Sequence, residues 1–318
     1  MEVWRSLEPA AQAAAGRPGS VVTIGVFDGV HRGHRAVVSH AADRARAAGL
    51  PLVVLTFDPH PMTVVRPGSA PPLVASVDHR ARLLGQAGAD EVLVLPFTLD
   101  RSRQVAEDFV REVLVEALRA RVVVVGADFR FGHKAAGDLA LLTELGGRHG
   151  FEVDAVGLLG DGTHGPRWSS TYVREHVASG DVVRAAEALG HLFRVEGVVV
   201  EGDRRGRGLG YPTANVPVDD GMLAPADGVY AGWLVRLDDP REQRLPAAVS
   251  VGTNPTFGGT QRRVEAYVLD RDDLDLYGVP VAVELVERIR AMERFDDVDA
   301  LVDHMRRDVE RARALLAR

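Results

Sequence analysis

VVTIGVFDGVHRGH, residues 21–34, is the stretch from which the rest of the chain is read. Val21 to Phe27 is short, apolar and β-branched, the composition of a strand buried on both faces of a parallel sheet. A turn begins at Asp28-Gly29. Glycines at 29 and 33 let backbone N–H groups approach an anion closely, and a helix starting near Gly33 points its positive end at the same place. Phosphate suits that geometry, and ATP chemistry is the leading reading, with Gly25, Phe27, Asp28, Gly29, His31 and His34 as candidate ligands. Each histidine can donate a hydrogen bond to a nonbridging phosphate oxygen where charge builds up during attack at phosphorus. Taken alone, HxxH also fits solvated loop residues or a metal pair. With no cysteine in the chain and no carboxylate-rich cluster nearby, a structural zinc site is disfavoured.

The alternation continues outward from this strand. A helix from about 33 to 48 leads to a second buried strand at 52–57, completing one βαβ step. Helices at 78–87, 104–118 and 138–149 alternate with strands at 91–95, 121–125 and 151–156, so a doubly wound parallel sheet is expected. Ligands bind such sheets at the carboxyl ends of the strands, where the polar runs Asp28 to His34, Asp58-Pro59-His60-Pro61 and Asp128 to His133 fall. The proline-rich segment from Pro59 to Pro72 reads equally as a ligand-covering loop or a plain surface connection. Farther on, RWSSTYVR places hydroxyls at a helix start with Arg174 one turn later. Ser170 or Thr171 can serve as an N-cap there, or the group can hold nucleotide phosphates.

Near Gly180 the pattern changes. A short helix at 181–189 precedes strand-like runs at 195–201, 229–237, 245–252, 263–269 and 279–287, which suggest a small closed antiparallel barrel. A last helix from about Val298 to Leu316 carries apolar residues at 298, 301, 302, 305 and 309, a stripe expected to pack on the barrel. GRGLGYPTAN, residues 206–215, contains GxG without a following helix and reads as a phosphate-cradling loop rather than a dinucleotide fingerprint. Thr213 and Asn215 offer neutral oxygens on one side of an extended segment, suited to a Mg²⁺ that keeps its waters and bridges ATP phosphates. Glu265, between apolar strand residues, is either a general base facing a cavity or an ordinary exposed carboxylate.

Composition bounds these readings. A chain of 318 residues, 46% hydrophobic, suggests two domains with two buried cores. The absence of cysteine excludes disulfides, Fe–S clusters and thiol catalysis, and fits a reducing cytoplasm. No amino-terminal leader or membrane-length apolar run is evident, so a cytoplasmic protein without a membrane partner is expected. A net charge of −7 argues against nucleic acid as a partner.

Together the motifs resemble the bifunctional bacterial FAD synthetases, in which an FMN adenylyltransferase is fused to a riboflavin kinase. GVFDGVHRGH, TFDPHP (56–61), DFRFG (128–132) and SSTYVR (169–174) look like the adenylyltransferase motifs in order. GRGLGYPTAN, DGVYAG from Asp227, NPTF at 254–257, VEAYVLD and DLYG at 275–278 look like the kinase motifs. The resemblance implies an adenylyltransferase domain at 1–184, a doubly wound parallel sheet, and a kinase domain at 185–318, a small barrel with a carboxy-terminal helix. It implies ATP as co-substrate, with riboflavin, FMN and FAD as substrates and products. On the first domain Asp128, Arg167, Ser170, Thr171 and Arg174 would join the phosphate ligands, while Phe57, Asp58 and Pro59 would meet the flavin. On the second, Gly206, Arg207, Gly208, Gly210, Pro212, Thr213 and Asn215 would bind ATP. Thr213 and Asn215 would also carry Mg²⁺, and Glu265 stands at the interval from Asn215 where the family places its base. Departures from the family pattern are Glu201 where many relatives carry His, Asp128 where some have Asn, and Met292 where an acid is common. The alternatives are a kinase with a silent first domain and a flavin carrier or regulator without turnover. Oligomeric state is left open.

Overall fold

The computed structural model describes residues 1–157, 168–202, 210–239, 241–253, 262–271, 273–295 and 297–317. The chain divides into two compact units, Met1–Pro71 with Ser76–Ser169 and Pro72–Ala75 with Ser170–Arg318.

The first unit is built on a six-stranded parallel sheet in the order β1-β4-β3-β2-β5-β6. Its strands are β1 (Glu2–Trp4), β2 (Ser20–Ile24), β3 (Leu52–Asp58), β4 (Glu91–Pro96), β5 (Ala120–Gly126) and β6 (Glu152–Val156). Both faces are covered. Val22, Ile24, Val53, Leu55, Leu93, Leu95, Val123 and Val125 belong to one apolar cluster, and Val21, Leu52, Val54, Val92, Val94, Val122 and Val124 to another. Successive side chains of each strand alternate between these cores, which is why the strands read as unbroken apolar runs. Helices α1 (Leu7–Ala14), α2 (Arg32–Ala48), α4 (Val77–Gln86) and α7 (Leu139–His149) supply the expected alternation, with a short α3 (Pro61–Val65) inside the proline-rich segment.

Two features of this unit differ from expectation. The three residues of β1 pair in parallel with β4 at the sheet edge, a strand too short to show any periodicity. The helix expected at 104–118 is broken up. Following α5 (Leu99–Arg103), α6 (Ala106–Phe109) widens into a π-helix over Val110–Ala117, closed by Leu118 N–H donating to Val113 O at 3.0 Å. That wider turn keeps Phe109, Val110, Val113, Leu114 and Leu118 together in the core.

In the second unit, helices α8 (Ser170–Ser179) and α9 (Val182–Leu189) precede a six-stranded antiparallel sheet in the order β7-β12-β9-β10-β11-β8. Its strands are β7 (Phe193–Val198), β8 (Ala214–Pro217), β9 (Gly228–Arg236), β10 (Arg244–Thr253), β11 (Arg262–Val268) and β12 (Pro280–Arg290). The edges nearly meet, as a barrel requires. Val200, just past β7, donates to Asn215 O on β8 at 2.9 Å, and a Cβ on Gly197 would lie 2.8 Å from the Val216 side chain. This is the expected barrel, nearly closed, with the trailing helix α10 (Val298–Leu316) packed on it.

The seam of α10 lies nearer its carboxyl end than the stripe at 298–309 suggests. Val298 is 59% exposed, while Asp308, Ala312 and Leu315 are buried, and Ala312 and Leu315 cluster with Ala231, Ala248 and Leu269. A polar anchor sets this position. Arg290, at the end of β12, donates to Asp308 through Nε at 3.0 Å and a terminal nitrogen at 2.7 Å, a geometry that hydrophobic periodicity does not register.

Candidate functional site

The sheet order of the first unit determines where its loops gather. From β2 the chain runs outward through β3 and β4, whereas β5 and β6 lie on the other side of β2. The crevice beyond the carboxyl ends of β2 and β5 is therefore a topological switch point, the usual ligand position in such sheets. GVFDGVHRGH leaves β2 there, Asp128 follows β5, and Phe57-Asp58-Pro59 closes the neighbouring β3.

The turn after β2 is conformationally demanding. Phe27, Gly29 and Val30 all have positive φ, at 51°, 78° and 42°, and Val30 N–H donates to Phe27 O at 3.0 Å. Glycine adopts this region freely, but a β-branched valine does so only when its surroundings enforce it, and such strain clusters at functional sites. Here Phe27 and Val30 are buried in the core and hold the turn. His31 then caps α2, its Nδ1 accepting from His34 N–H at 3.3 Å. That bond leaves the proton of the neutral His31 ring on Nε2. The two imidazoles stack with centroids 3.6 Å apart, and Phe27 meets His34 edge-on at 5.3 Å. Burial, then His31, then Arg80 hold the His34 imidazole well below the usual histidine range. Its Nδ1 is enclosed without a hydrogen-bond partner among the described residues. A stacked imidazole pair at a helix amino terminus, with His34 held neutral and His31 carrying a proton on Nε2, offers N–H donors to an anion.

Other predicted residues of the first unit lie at the neighbouring strand ends. Asp28 is buried, Asp128 is exposed beside Gly126, and Phe57 packs edge-on against Phe97 with centroids 5.6 Å apart. The segment leading to SSTYVR passes the start of α2, since a Cβ on Gly33 would stand 3.6 Å from Trp168 O. Ser170 and Thr171 open α8, and Arg174 donates through Nε to Pro72 O at 2.7 Å. These three residues belong to the second unit. Arg167 lies outside the described residues. One charged residue escaped the sequence reading. Arg80, within SVDHRARLL, looks like any helix-surface arginine in sequence, yet it is completely buried.

The second unit assembles its candidate site through strand register. Glu265 on β11 lies directly opposite Asn215 on β8 and, on its other side, opposite Ser250 on β10. Directly opposed residues share a sheet face. The row Asn215, Glu265, Ser250 and Val229 thus lies on the face opposite Val216, Val251 and Val264, all of which are fully buried. One row farther along, Tyr267, Ala248 and Ala231 lie under α10. Glu265 is half-buried at the margin of that covered patch, rather than standing on an open strand face. Asn215 is buried, and its Nδ2 donates to Thr213 O at 3.2 Å and Oγ1 at 3.4 Å. Its amide nitrogen is thereby committed to Thr213, which leaves the side-chain oxygen as the atom available to a cation. Met292 brings its sulfur to 3.9 Å from Ser250 Oγ, placing a thioether beside this row. Glu201 directly follows the Val200 that bridges to Asn215. Gly210 and Pro212 are described, whereas Gly206, Arg207, Gly208 and the NPTF run at 254–257 lie outside the described residues.

Comparison with known proteins matches both halves. The family described as FAD synthetase matches residues 14–172, and the family described as riboflavin kinase matches residues 189–316. A bifunctional riboflavin kinase/FMN adenylyltransferase of Escherichia coli strain K12 is 37% identical over 313 residues, covering 98% of this chain and 97% of its own. Its counterpart in Listeria monocytogenes is 34% identical over 301 residues, covering 94% of this chain and 93% of its own. A solved structure described as a macrolide-efflux protein from Streptococcus pneumoniae superposes with a TM-score of 0.82 at 34% identity, over 96% of this chain and 97% of that one. Among the described residues of the present chain, no helix is long and apolar enough to cross a membrane. The full-length match, two consecutive family matches and a fold that carries both sets of motifs place this chain in the bifunctional riboflavin kinase/FMN adenylyltransferase family.

Proposed function

We infer that this chain makes FAD from riboflavin in two ATP-dependent steps, phosphorylation on residues 185–318 and adenylylation on residues 1–184. The observation that carries the reading is the register pairing of Glu265 with Asn215, which sets a carboxylate beside neutral oxygen ligands in the half that matches riboflavin kinase.

In the kinase step, Glu265 takes the proton of the ribityl 5′-hydroxyl as that oxygen attacks the γ-phosphorus of ATP, and ADP leaves. Thr213 Oγ1 and the Asn215 side-chain oxygen would hold Mg²⁺. The donor set fits, because two neutral oxygens leave room for waters and phosphate oxygens around a hard cation. Mg²⁺ supplies charge neutralisation to the phosphates, and this chain supplies orientation through the β8–β11 pairing. Gly206, Arg207, Gly208, Gly210 and Pro212 would complete the ATP loop.

In the adenylyl step, an oxygen of the FMN phosphate attacks the α-phosphorus of a second ATP, and pyrophosphate leaves. His31, through Nε2–H, and His34 donate to the nonbridging oxygens as charge accumulates, in a turn whose strained backbone is already set. Gly25, Phe27, Asp28 and Gly29 line the nucleotide. By the family's pattern Arg167, Ser170, Thr171 and Arg174 would hold phosphates, Asp128 would lie on the nucleotide side, and Phe57, Asp58 and Pro59 would meet the flavin. ATP dependence and the absence of cysteine support a cytoplasmic location.

Chromatography of flavins after incubation with riboflavin, ATP and Mg²⁺, beside a reaction started from FMN, tests the reading. FAD is expected from both starts. FMN accumulating without FAD would leave a kinase alone, and no product would leave a flavin carrier.

A further inference from the structure

Arg80 sits in the first half of α4 with none of its surface exposed. One terminal nitrogen donates to Val26 O at 2.8 Å and to Thr56 Oγ1 at 3.3 Å, while Thr56 Oγ1 donates to the same carbonyl at 2.9 Å. Val26 follows β2 and Thr56 lies on β3, so a single guanidinium joins two neighbouring strand ends. Immediately beyond those ends come the turn at Asp28 to His34 and the Asp58-Pro59 pair, the nucleotide and flavin sides of the candidate cleft.

A fastener needs no charge. Two accepting oxygens do not by themselves call for a cation, which carries a desolvation cost when buried, and here Nε and the second terminal nitrogen are enclosed without hydrogen-bond partners among the described residues. What offsets that cost is electrostatic. Burial disfavours the charged guanidinium, and Asp28 and Asp58, one from each loop, oppose that effect. His34 feels the same cation, which adds to burial and His31 in keeping its ring neutral. Two loops and one imidazole therefore refer to a single charge buried beneath the two strand ends.

We infer that Arg80 is a positioning residue for adenylyl transfer, setting the spacing of the Asp28–His34 turn against the Asp58-Pro59 loop through Val26, Thr56 and the two carboxylates. The inference rests on the reading of this cleft as the adenylyl-transfer site. Displacing reacting groups by about 1 Å costs on the order of 100-fold in rate, which is the scale expected when this link is lost.

The test uses the full chain with FMN, ATP and Mg²⁺, separates kcat from KM, and follows riboflavin phosphorylation in the same preparation. Arg80→Gln is expected to lower kcat for FAD formation about 100-fold with smaller changes in KM, and to leave FMN formation intact. Arg80→Lys, which keeps the charge and a donor but not the planar fork, is expected to recover about a tenfold part of that loss. In Arg80→Gln the His34 imidazole, followed by NMR, is expected to titrate at higher pH than in the parent. The other charged or titratable groups around the cleft, Asp28, His31 and Asp58, are unchanged.

FAD formation within threefold of the parent and an unmoved His34 titration would overturn the inference. So would equal loss of both activities, which marks a purely structural residue. If Arg80→Gln does not fold, Thr56→Val and Arg80→Lys decide, because parental kcat in both is incompatible with a positioning role. His34→Ala runs in parallel. If it retains FAD synthesis, the reading of the cleft fails whatever Arg80 does; if it loses FAD synthesis while Arg80→Gln does not, only the present inference fails.

Discussion

In the first unit the two histidines and the turn that presents them are close neighbours in sequence, ten positions running from the end of β2 into α2. In the second, Thr213 and Asn215 meet Glu265 only because β8 and β11 pair in a particular register. The first arrangement depends on local backbone conformation and on a core that holds Phe27 and Val30 at positive φ. The second depends on strand pairing, and a slip of one residue would turn Glu265 to the opposite face. A local site is sensitive to what lies beneath its turn. A register site is sensitive to whatever holds its barrel closed.

The contrast between the sites breaks most directly through the two catalytic candidates. Glu265→Gln is expected to lower FMN formation from riboflavin by about 1,000-fold while supplied FMN is still adenylylated, as loss of a general base requires. Substantial FMN output from that variant would remove Glu265 from the role and leave the register pairing without a catalytic meaning. His34→Ala should do the converse, lowering FAD formation about 100-fold with FMN formation retained, since one stabilising donor is lost in a preset site. Flavin chromatography reads both variants, and parallel loss of both products in either would show that the two sites are not independent.

A smaller effect is expected from the anchor of α10. Asp308→Ala leaves the Arg290 cation without its partner, and Arg290 lies opposite Val229, in the row that continues through Ser250 to Glu265. Breaking a buried pair of this kind costs roughly 3 kcal/mol. Denaturant titration should show kinase activity lost at lower concentration while adenylylation keeps its midpoint. A shared shift in both activities would mean that the two units unfold together, and would blunt the contrast between a local site and a register site.

The smallest expected effect is on pH dependence. His34 binds its proton more weakly in the folded chain than in the unfolded one, so the unfolded chain takes up protons first as pH falls below the ordinary histidine value. The contribution of His34 to stability is complete above about pH 6.5 and declines below it. Unfolding midpoints measured at neutral and mildly acidic pH should therefore differ less in His34→Gln than in the parent. An identical pH dependence in the two would show that the imidazole is not held neutral in the turn.

Some of the molecule is readable without coordinates, for reasons that particular elements make plain. The β2 run and its alternation with α2, β3 and α4 are legible because a strand buried on both faces leaves a short apolar run, which its length, β-branched content and flanking turn residues set apart from a buried helix segment. A helix start near Gly33 follows from the glycine-bearing turn, while the capping role of His31, just before Arg32, is seen only in the structure. The π-helix after Phe109 leaves no sign, since Val110, Val113, Leu114 and Ala117 have the same spacing that an α-helix would bury. The deepest contacts of α10, at Asp308, Ala312 and Leu315, run beyond the end of its apolar stripe, of which Val309 joins the packed cluster and Val298 does not, and the ion pair of Asp308 with Arg290 leaves no mark in hydrophobic periodicity. Whether Glu265 stands on an open face or beside a covered one is undecidable from alternation, which fixes sides but not what lies over them.

By itself, then, the amino-acid order determined the two architectures, the family, and the residue types available at each candidate site, because these rest on local periodicity and on motifs contiguous in the chain. Only the tertiary structure decided that Asn215 and Glu265 are cross-strand neighbours, that Phe27 and Val30 are forced to positive φ, and that an arginine from α4 lies buried beneath the turn. Register, enforced strain and burial of charge arise from contacts between segments far apart in sequence, and no local pattern of side chains records which distant partner each residue will meet.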